Sequence, residues 1–123
     1  MAKKILIVDD NENNRLLMSD ILEYRGYEML QAEDGTKGIS MAAKLKPDLI
    51  LLDMQMPGID GFAAVEILKN DPLTRDIKII AVTSLAMKGD REKIMALGVD
   101  DYIAKPIDTR QFPLLVEKYI GKA

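Results

Sequence analysis

The chain has neither cysteine nor histidine in its 123 residues, and these two absences narrow its chemistry sharply. Without cysteine there is no disulfide, no thiolate nucleophile and no sulfur-ligated metal. Without histidine there is no imidazole base, no histidine-bound metal and no phosphohistidine on this chain. Any metal must be held by oxygen, which selects hard cations such as magnesium, manganese or calcium. Long apolar runs are missing too, none approaching the ~20 residues of a membrane span. Met1-Ala2-Lys3-Lys4 leads directly into an apolar run and leaves no room for a signal peptide. The expectation is therefore no membrane association and a cytoplasmic address. Basic excess is lacking as well: a net charge of −3 and a pI near 5.0 argue against nucleic acid as a partner.

What is present reads as one globular domain over residues 1–123, long enough to bury its own core. Apolar residues make up 48% and charged residues 30%, a soluble and ordered composition. The pattern is five strand–helix units without repeat or linker. Short apolar runs at Lys4–Val8, Leu49–Leu52, Ile77–Val82 and Tyr102–Ala104 read as strands, with a further short one over Glu28–Ala32. Asn11 to Asn14 supply helix-start chemistry ahead of Leu17, Ile21 and Leu22, and Gly26 ends that helix. The second helix turns Ile39, Ala42 and Ala43 inward and stops at Pro47, because Lys46 is disfavoured in the helical region.

Pro57-Gly58 fits the centre of a type II turn, and Asp60 can cap a helix that buries Phe62, Val65 and Leu68. A fourth helix is expected over roughly Met87 to Leu97. A fifth presents Phe112, Leu115, Val116, Tyr119 and Ile120 at helical spacing. If Asp108 capped it directly, Pro113 would cost a backbone hydrogen bond in its second turn, so a late start is expected.

Alternating strands and helices make a parallel sheet whose carboxyl ends share one edge. Asp9-Asp10, Asp53, Thr83 and Lys105 each follow one of the apolar runs. Three carboxylates, a hydroxyl and an ammonium would then converge on one cleft, which is the chemistry of a divalent metal holding a phosphoryl group. Each signal is weak alone. Asp9-Asp10 could simply begin a helix, Asp53 could cap a turn, and a strand-end Thr or Lys is usually just solvated.

Together, in order and along the whole chain, they resemble the receiver domain of two-component response regulators. The matching residues are Asp9-Asp10, Asp53, Met56-Pro57 with Asp60-Gly61, Thr83, Tyr102 and Lys105-Pro106. The resemblance implies a flavodoxin-like, doubly wound α/β fold with a five-stranded parallel sheet in the order 2-1-3-4-5. Its strand order reverses beside the first strand, so a crevice opens between strands one and three. It also implies Asp53 as phosphoacceptor and Mg2+ held by Asp10, by Asp9 through water, by Asp53 and by the Gln55 carbonyl. Lys105 and Thr83 would contact the phosphoryl group, and Thr83 with Tyr102 would form the switch. A cis Lys105–Pro106 peptide bond belongs to the same pattern.

The implied role is a phosphoacceptor in a two-component system or phosphorelay, loaded by a histidine kinase or a histidine phosphotransfer protein. It would act on a downstream protein target and remain a monomer when unphosphorylated. It is not expected to be an enzyme beyond its own phosphoryl transfer and slow autodephosphorylation. A stand-alone regulator and an excised receiver of a hybrid kinase fit equally. Asn13-Asn14-Arg15 with Leu16, Leu17 and Met18 looks like a first helix that docks a partner's helix bundle, although at least one or two of these residues belong to the core. Ser84 departs from the usual alanine, and Gln55 and Leu85 flank the site as tuners of dephosphorylation, in a direction the sequence leaves open. The alternative is an Mg2+-dependent aspartyl-phosphate phosphatase acting on small substrates. Such enzymes typically carry Asp-x-Asp at one strand end, whereas Asp53 is followed by Met54-Gln55. A flavin carrier would share the strand order, but three carboxylates against a phosphate without a metal are electrostatically poor.

Overall fold

The computed structural model describes residues 2–84 and 88–123. Leu85 and the expected helix start at Met87 lie outside the described residues. The elements run β1 (Lys4–Val8), α1 (Glu12–Tyr24), β2 (Glu28–Ala32), α2 (Gly35–Leu45) and β3 (Leu49–Asp53). They continue as α3 (Gly61–Asn70), β4 (Lys78–Thr83), α4 (Lys88–Ala96), β5 (Asp101–Ala104) and α5 (Gln111–Ile120). Five strands form one all-parallel sheet in the order β2-β1-β3-β4-β5. The expected fold class is what is found.

Strand alternation divides the core into two layers. Leu6, Val8, Ile50, Leu52, Ile79 and Ala81 point to the face covered by α2, α3 and α4, where Ala42, Val65, Leu68 and Ile94 meet them. Their sequence neighbours Ile5, Ile7, Leu49, Leu51, Ile80 and Val82 point the other way, onto Met18 and Leu22 of α1 and Phe112 and Val116 of α5. Both faces of β1, β3 and β4 are thus dry, which is why their sequences are continuous apolar runs instead of alternating ones. Each such side chain contributes roughly 1.5–3 kcal/mol by leaving water.

Local signals set the ends of the helices. Asn11, Asp34 and Asp60 each cap a helix by accepting the backbone N–H three residues on, from Asn14, Lys37 and Ala63. Gly26, Gly58 and Gly98 take positive φ, as the turn and two helix ends require. Asp108 accepts from the Arg110 and Gln111 amides and its carbonyl accepts the Phe112 N–H at 2.9 Å, one turn ahead of α5. Pro113, the third residue of α5, has no N–H to carry that pattern on to Thr109, and the regular helix begins only at Gln111.

In α1, Met18, Ser19 and Leu22 are buried, while Leu16 and Leu17 stay exposed and Ile21 packs partly against the core. As expected, α2 stops at Leu45 before Pro47, with Lys46 in the left-handed region (φ 46°) and its N–H closing the helix onto Ala42.

Gly61 matters most for the position of the cleft. A Cβ there would lie 2.4 Å from Met54 Cα and 2.9 Å from the Asp53 carbonyl oxygen. The start of α3 is therefore pressed against the chain just past β3. Gly89, in contrast, has nothing within 4 Å of such a Cβ. Gly61→Ala should lower the free energy of unfolding by about 2–3 kcal/mol, whereas Gly89→Ala should raise it by about 0.5–1 kcal/mol. Urea denaturation tests both, and equal stabilities would mean that α3 is not held against Met54.

Candidate functional site

The sheet register places the polar residues in a staircase. Val8 pairs with Leu52, so Asp9 and Asp53 stand one step beyond at the same level. Asp53 pairs with Val82, and Thr83 with Ala104, which brings Thr83 and Lys105 to the same edge. The order reverses between β1 and β3, since the chain leaves β1 toward β2 and returns across it to β3. A doubly wound sheet leaves a crevice at the carboxyl edge at such a reversal.

In that crevice one carboxylate oxygen from each of Asp9, Asp10 and Asp53 lies within 4.8 Å of the others. Asp9 is wholly buried, Asp53 is 2% exposed and Asp10 faces solvent. Lys105 Nζ sits 3.1 Å from Asp53 Oδ2 and 3.9 Å from Asp9 Oδ2, and its side chain stays 23% exposed. Thr83 is fully buried beside them. The Lys105–Pro106 peptide bond is cis, and the Lys105 amide donates to the Thr83 carbonyl at 2.8 Å.

Each acid is oriented by the backbone. Asp9 Oδ1 accepts the Asn11 N–H at 2.8 Å, and Asp53 Oδ1 accepts the Gln55 N–H at 2.9 Å. Asp9 Oδ2 is different: it is buried and has no hydrogen-bond partner. A buried carboxylate oxygen with no hydrogen bond, only the Lys105 ammonium at 3.9 Å, is costly and is a feature a cation ligand would relieve. The carboxyl is pushed up to about 6, first by burial and then by the Asp53 charge, against the Asn11 N–H and the Lys105 ammonium, which lower it. Three hard oxygen donors and one orphaned lone-pair set fit a small divalent cation such as Mg2+.

Two contributors were not legible as such. Arg15 Nη1 donates to the Asp9 carbonyl oxygen at 2.8 Å, and its Nε reaches Gln31 Oε1 at 3.3 Å. It ties the acidic pair to both α1 and β2. The Gln55 side chain reaches Ser84 across the cleft, with its Oε1 accepting from the Ser84 N–H and hydroxyl. Neither contact follows from periodicity, because each depends on how far a side chain extends over a loop.

The family model for the response regulator receiver domain matches residues 5–117. Across the whole of both chains, this one is 42% identical to the polar-differentiation response regulator DivK of Brucella anthropi. Its fold matches the chemotaxis response regulator CheY4 of Vibrio cholerae with a TM-score of 0.91 and 25% identity, covering 97% of this chain and 99% of that one. The receiver domain of the sensor histidine kinase PA1611 from Pseudomonas aeruginosa matches with a TM-score of 0.89 and 31% identity, covering 99% and 100%. That structure has a magnesium ion coordinated in its active site cleft.

The raised Asp9 carboxyl has a signed consequence for stability. Between pH ~4 and ~6 the folded protein keeps a proton on Asp9 that the unfolded chain has released, so this group's contribution falls as pH rises through that window. A carboxyl raised from 3.8 to about 6 costs the metal-free protein on the order of 3 kcal/mol at neutral pH. Asp9→Asn should therefore be more stable than the native protein at pH 7.5 without metal, by about 1–3 kcal/mol. The gain should vanish near pH 4. Denaturation at the two pH values tests this, and a variant that is less stable at pH 7.5 would contradict the assignment.

Proposed function

Since this chain belongs to the family of response regulator receiver domains, we propose that its residues 1–123 act as one receiver that accepts a phosphoryl group on Asp53. As a receiver it is a signalling module of the two-component type, not a turnover enzyme. The donor is the phosphohistidine of a histidine kinase or histidine phosphotransfer protein, and the output is an altered contact with a downstream protein. Its place of action is the cytoplasm, with neither nucleic acid nor membrane as partner, and unphosphorylated it is a monomer. Among the described residues no helix is long and apolar enough to cross a membrane.

The observation that carries this reading is the pairing of Lys105 with Asp53 inside a cluster of three carboxylates. An Asp53 oxygen attacks phosphorus as the P–N bond to the donor imidazole breaks, and the electron pair leaves with that nitrogen. Asp9, Asp10, Asp53 and the Gln55 carbonyl are the residues that would hold Mg2+. When bound, the ion offsets the charges of the carboxylate and the incoming phosphoryl group. Lys105, already 3.1 Å from Asp53 Oδ2, exchanges a carboxylate partner for a phosphoryl oxygen without leaving the cleft. Thr83 supplies a hydroxyl donor beside it.

Thr83 and Tyr102 form the switch in this reading. Tyr102 is half-buried against the α4-side core, with the Arg91 guanidinium 5.3 Å from its ring centroid. Movement of Thr83 toward the phosphoryl group frees space for that ring. The groove between β5 and α5, lined by Tyr102, Ile103, Phe112 and Leu115, starts beside Pro106 and gives the change a surface on which a target can read it.

Intact-mass measurement after incubation with acetyl phosphate tests the reading. One phosphoryl group should be added only with Mg2+, and none should be added to Asp53→Asn, which keeps its fold. A labelled Asp53→Asn protein would overturn the acceptor assignment. Fast consumption of acetyl phosphate without an adduct would favour a phosphatase.

A further inference from the structure

The peptide between Asp9 and Asp10 joins two of the three acids, and one side chain sets its direction. Arg15 Nη1 donates to the Asp9 carbonyl oxygen at 2.8 Å, and Nε reaches Gln31 Oε1 at 3.3 Å. Arg15 is itself fixed in the first turns of α1, where its N–H donates to the Asn11 carbonyl at 3.1 Å. From the β2 side, the Ala32 carbonyl accepts the Asp9 N–H at 3.1 Å. Gln31 directly precedes Ala32, so both arms of the guanidinium end on groups that meet at the tips of β1 and β2. Asp9 is thus held at its N–H, at its carbonyl and, through the Asn11 N–H, at one carboxylate oxygen.

We propose that Arg15 is a positioning residue for the cation: by holding the Asp9 carbonyl it sets where the chain carries the Asp10 carboxylate. The proposal rests on Asp9, Asp10 and Asp53 holding Mg2+ and deepens that reading.

A peptide unit is planar, so the direction of the Asp9 carbonyl fixes ψ of Asp9 and with it the position of the Asp10 Cα. Asp10 is exposed, and packing does not place it. The backbone that carries it must do so. Mg2+ demands near-ideal octahedral geometry, so a displaced ligand weakens binding. The guanidinium charge acts in the opposite sense, because a positive group beside the cleft repels a cation. Arg15 is only half-buried, and solvent and salt screen that repulsion. Loss of a group that orients a metal ligand typically costs tenfold or more in affinity. Positioning outweighs repulsion, and the two effects differ in sign.

Calorimetric titration of the full chain with Mg2+ alone tests the proposal. Arg15→Met keeps an unbranched side chain but removes both donors and the charge, and it should weaken Mg2+ binding about tenfold. Gln31→Ala frees only the second arm of the guanidinium and should weaken binding by a smaller factor. The double variant should bind as Arg15→Met does, because both substitutions release one and the same group. Tighter Mg2+ binding by Arg15→Met would mean that the arginine acts through its charge alone, and that result overturns the proposal. Unchanged affinity overturns it as well, even with a lower urea midpoint, because Arg15 would then only brace α1 against β2. So does additivity of the two substitutions. A native protein that binds no Mg2+, or an Asp10→Ala variant that binds it equally well, overturns the metal reading and the role of Arg15 with it.

Discussion

Like charges gathered at one edge of a buried sheet are the constraint to which the rest of this structure answers. Two carboxylates 4–5 Å apart repel by roughly 3–4 kcal/mol at an effective dielectric of about 20. Asp9 and Asp53 are almost entirely removed from water, which adds a desolvation cost to the repulsion. Lys105 offsets part of it by lying 3.1 Å from Asp53 and 3.9 Å from Asp9, whose carboxyl is still raised and whose Oδ2 accepts no hydrogen bond. In the proposed function, a cation and a phosphoryl group would offset the remaining charge and desolvation at this edge.

Such a site survives only on a scaffold with stability to spare. The buried runs of β1, β3 and β4, packed on both faces, supply it. Their parallel arrangement also explains why the cost is borne at one edge: all carboxyl ends meet there, and the reversal between β1 and β3 leaves the gap. Local devices then fix the strained pieces. Arg15 grips the Asp9 carbonyl, the Asn11 N–H holds one Asp9 oxygen, and Gly61 lets α3 press against Met54 immediately after Asp53. These contacts make the acids hard to move, so charge compensation must come to them.

Much of this was legible in the sequence, for physical reasons. Continuous apolar runs ending in Asp9, Asp53 and Thr83 signalled doubly covered parallel strands with polar ends, and capping residues such as Asn11 and Asp60 marked helix starts. The strand order came from the resemblance and not from periodicity, which cannot tell neighbours apart. Which of Leu16, Leu17 and Met18 belong to the core was left open, because α1 carries apolar residues on consecutive positions; Met18 is buried and the two leucines are exposed. The stop of α2 before Pro47 was legible because the bias before proline keeps Lys46 out of the right-handed helical region, while its left-handed conformation was not, since that bias does not choose between the alternatives. Arg15 and the Gln55–Ser84 bridge were hidden for another reason: long polar side chains choose partners by reach across loops, and spacing along the chain does not encode that.

In the proposed function Lys105 exchanges Asp53 for a phosphoryl oxygen, and Thr83 and Tyr102, in β4 and β5, form the switch that follows. The most direct test compares backbone amide NMR shifts of native protein and Lys105→Ala on adding beryllofluoride with Mg2+. The account predicts that native shifts spread through β4, β5 and α5 to Tyr102, and that in Lys105→Ala they stay at the ends of β1 and β3. Equally widespread shifts in the variant would contradict it, because the lysine would then be a bystander to the switch.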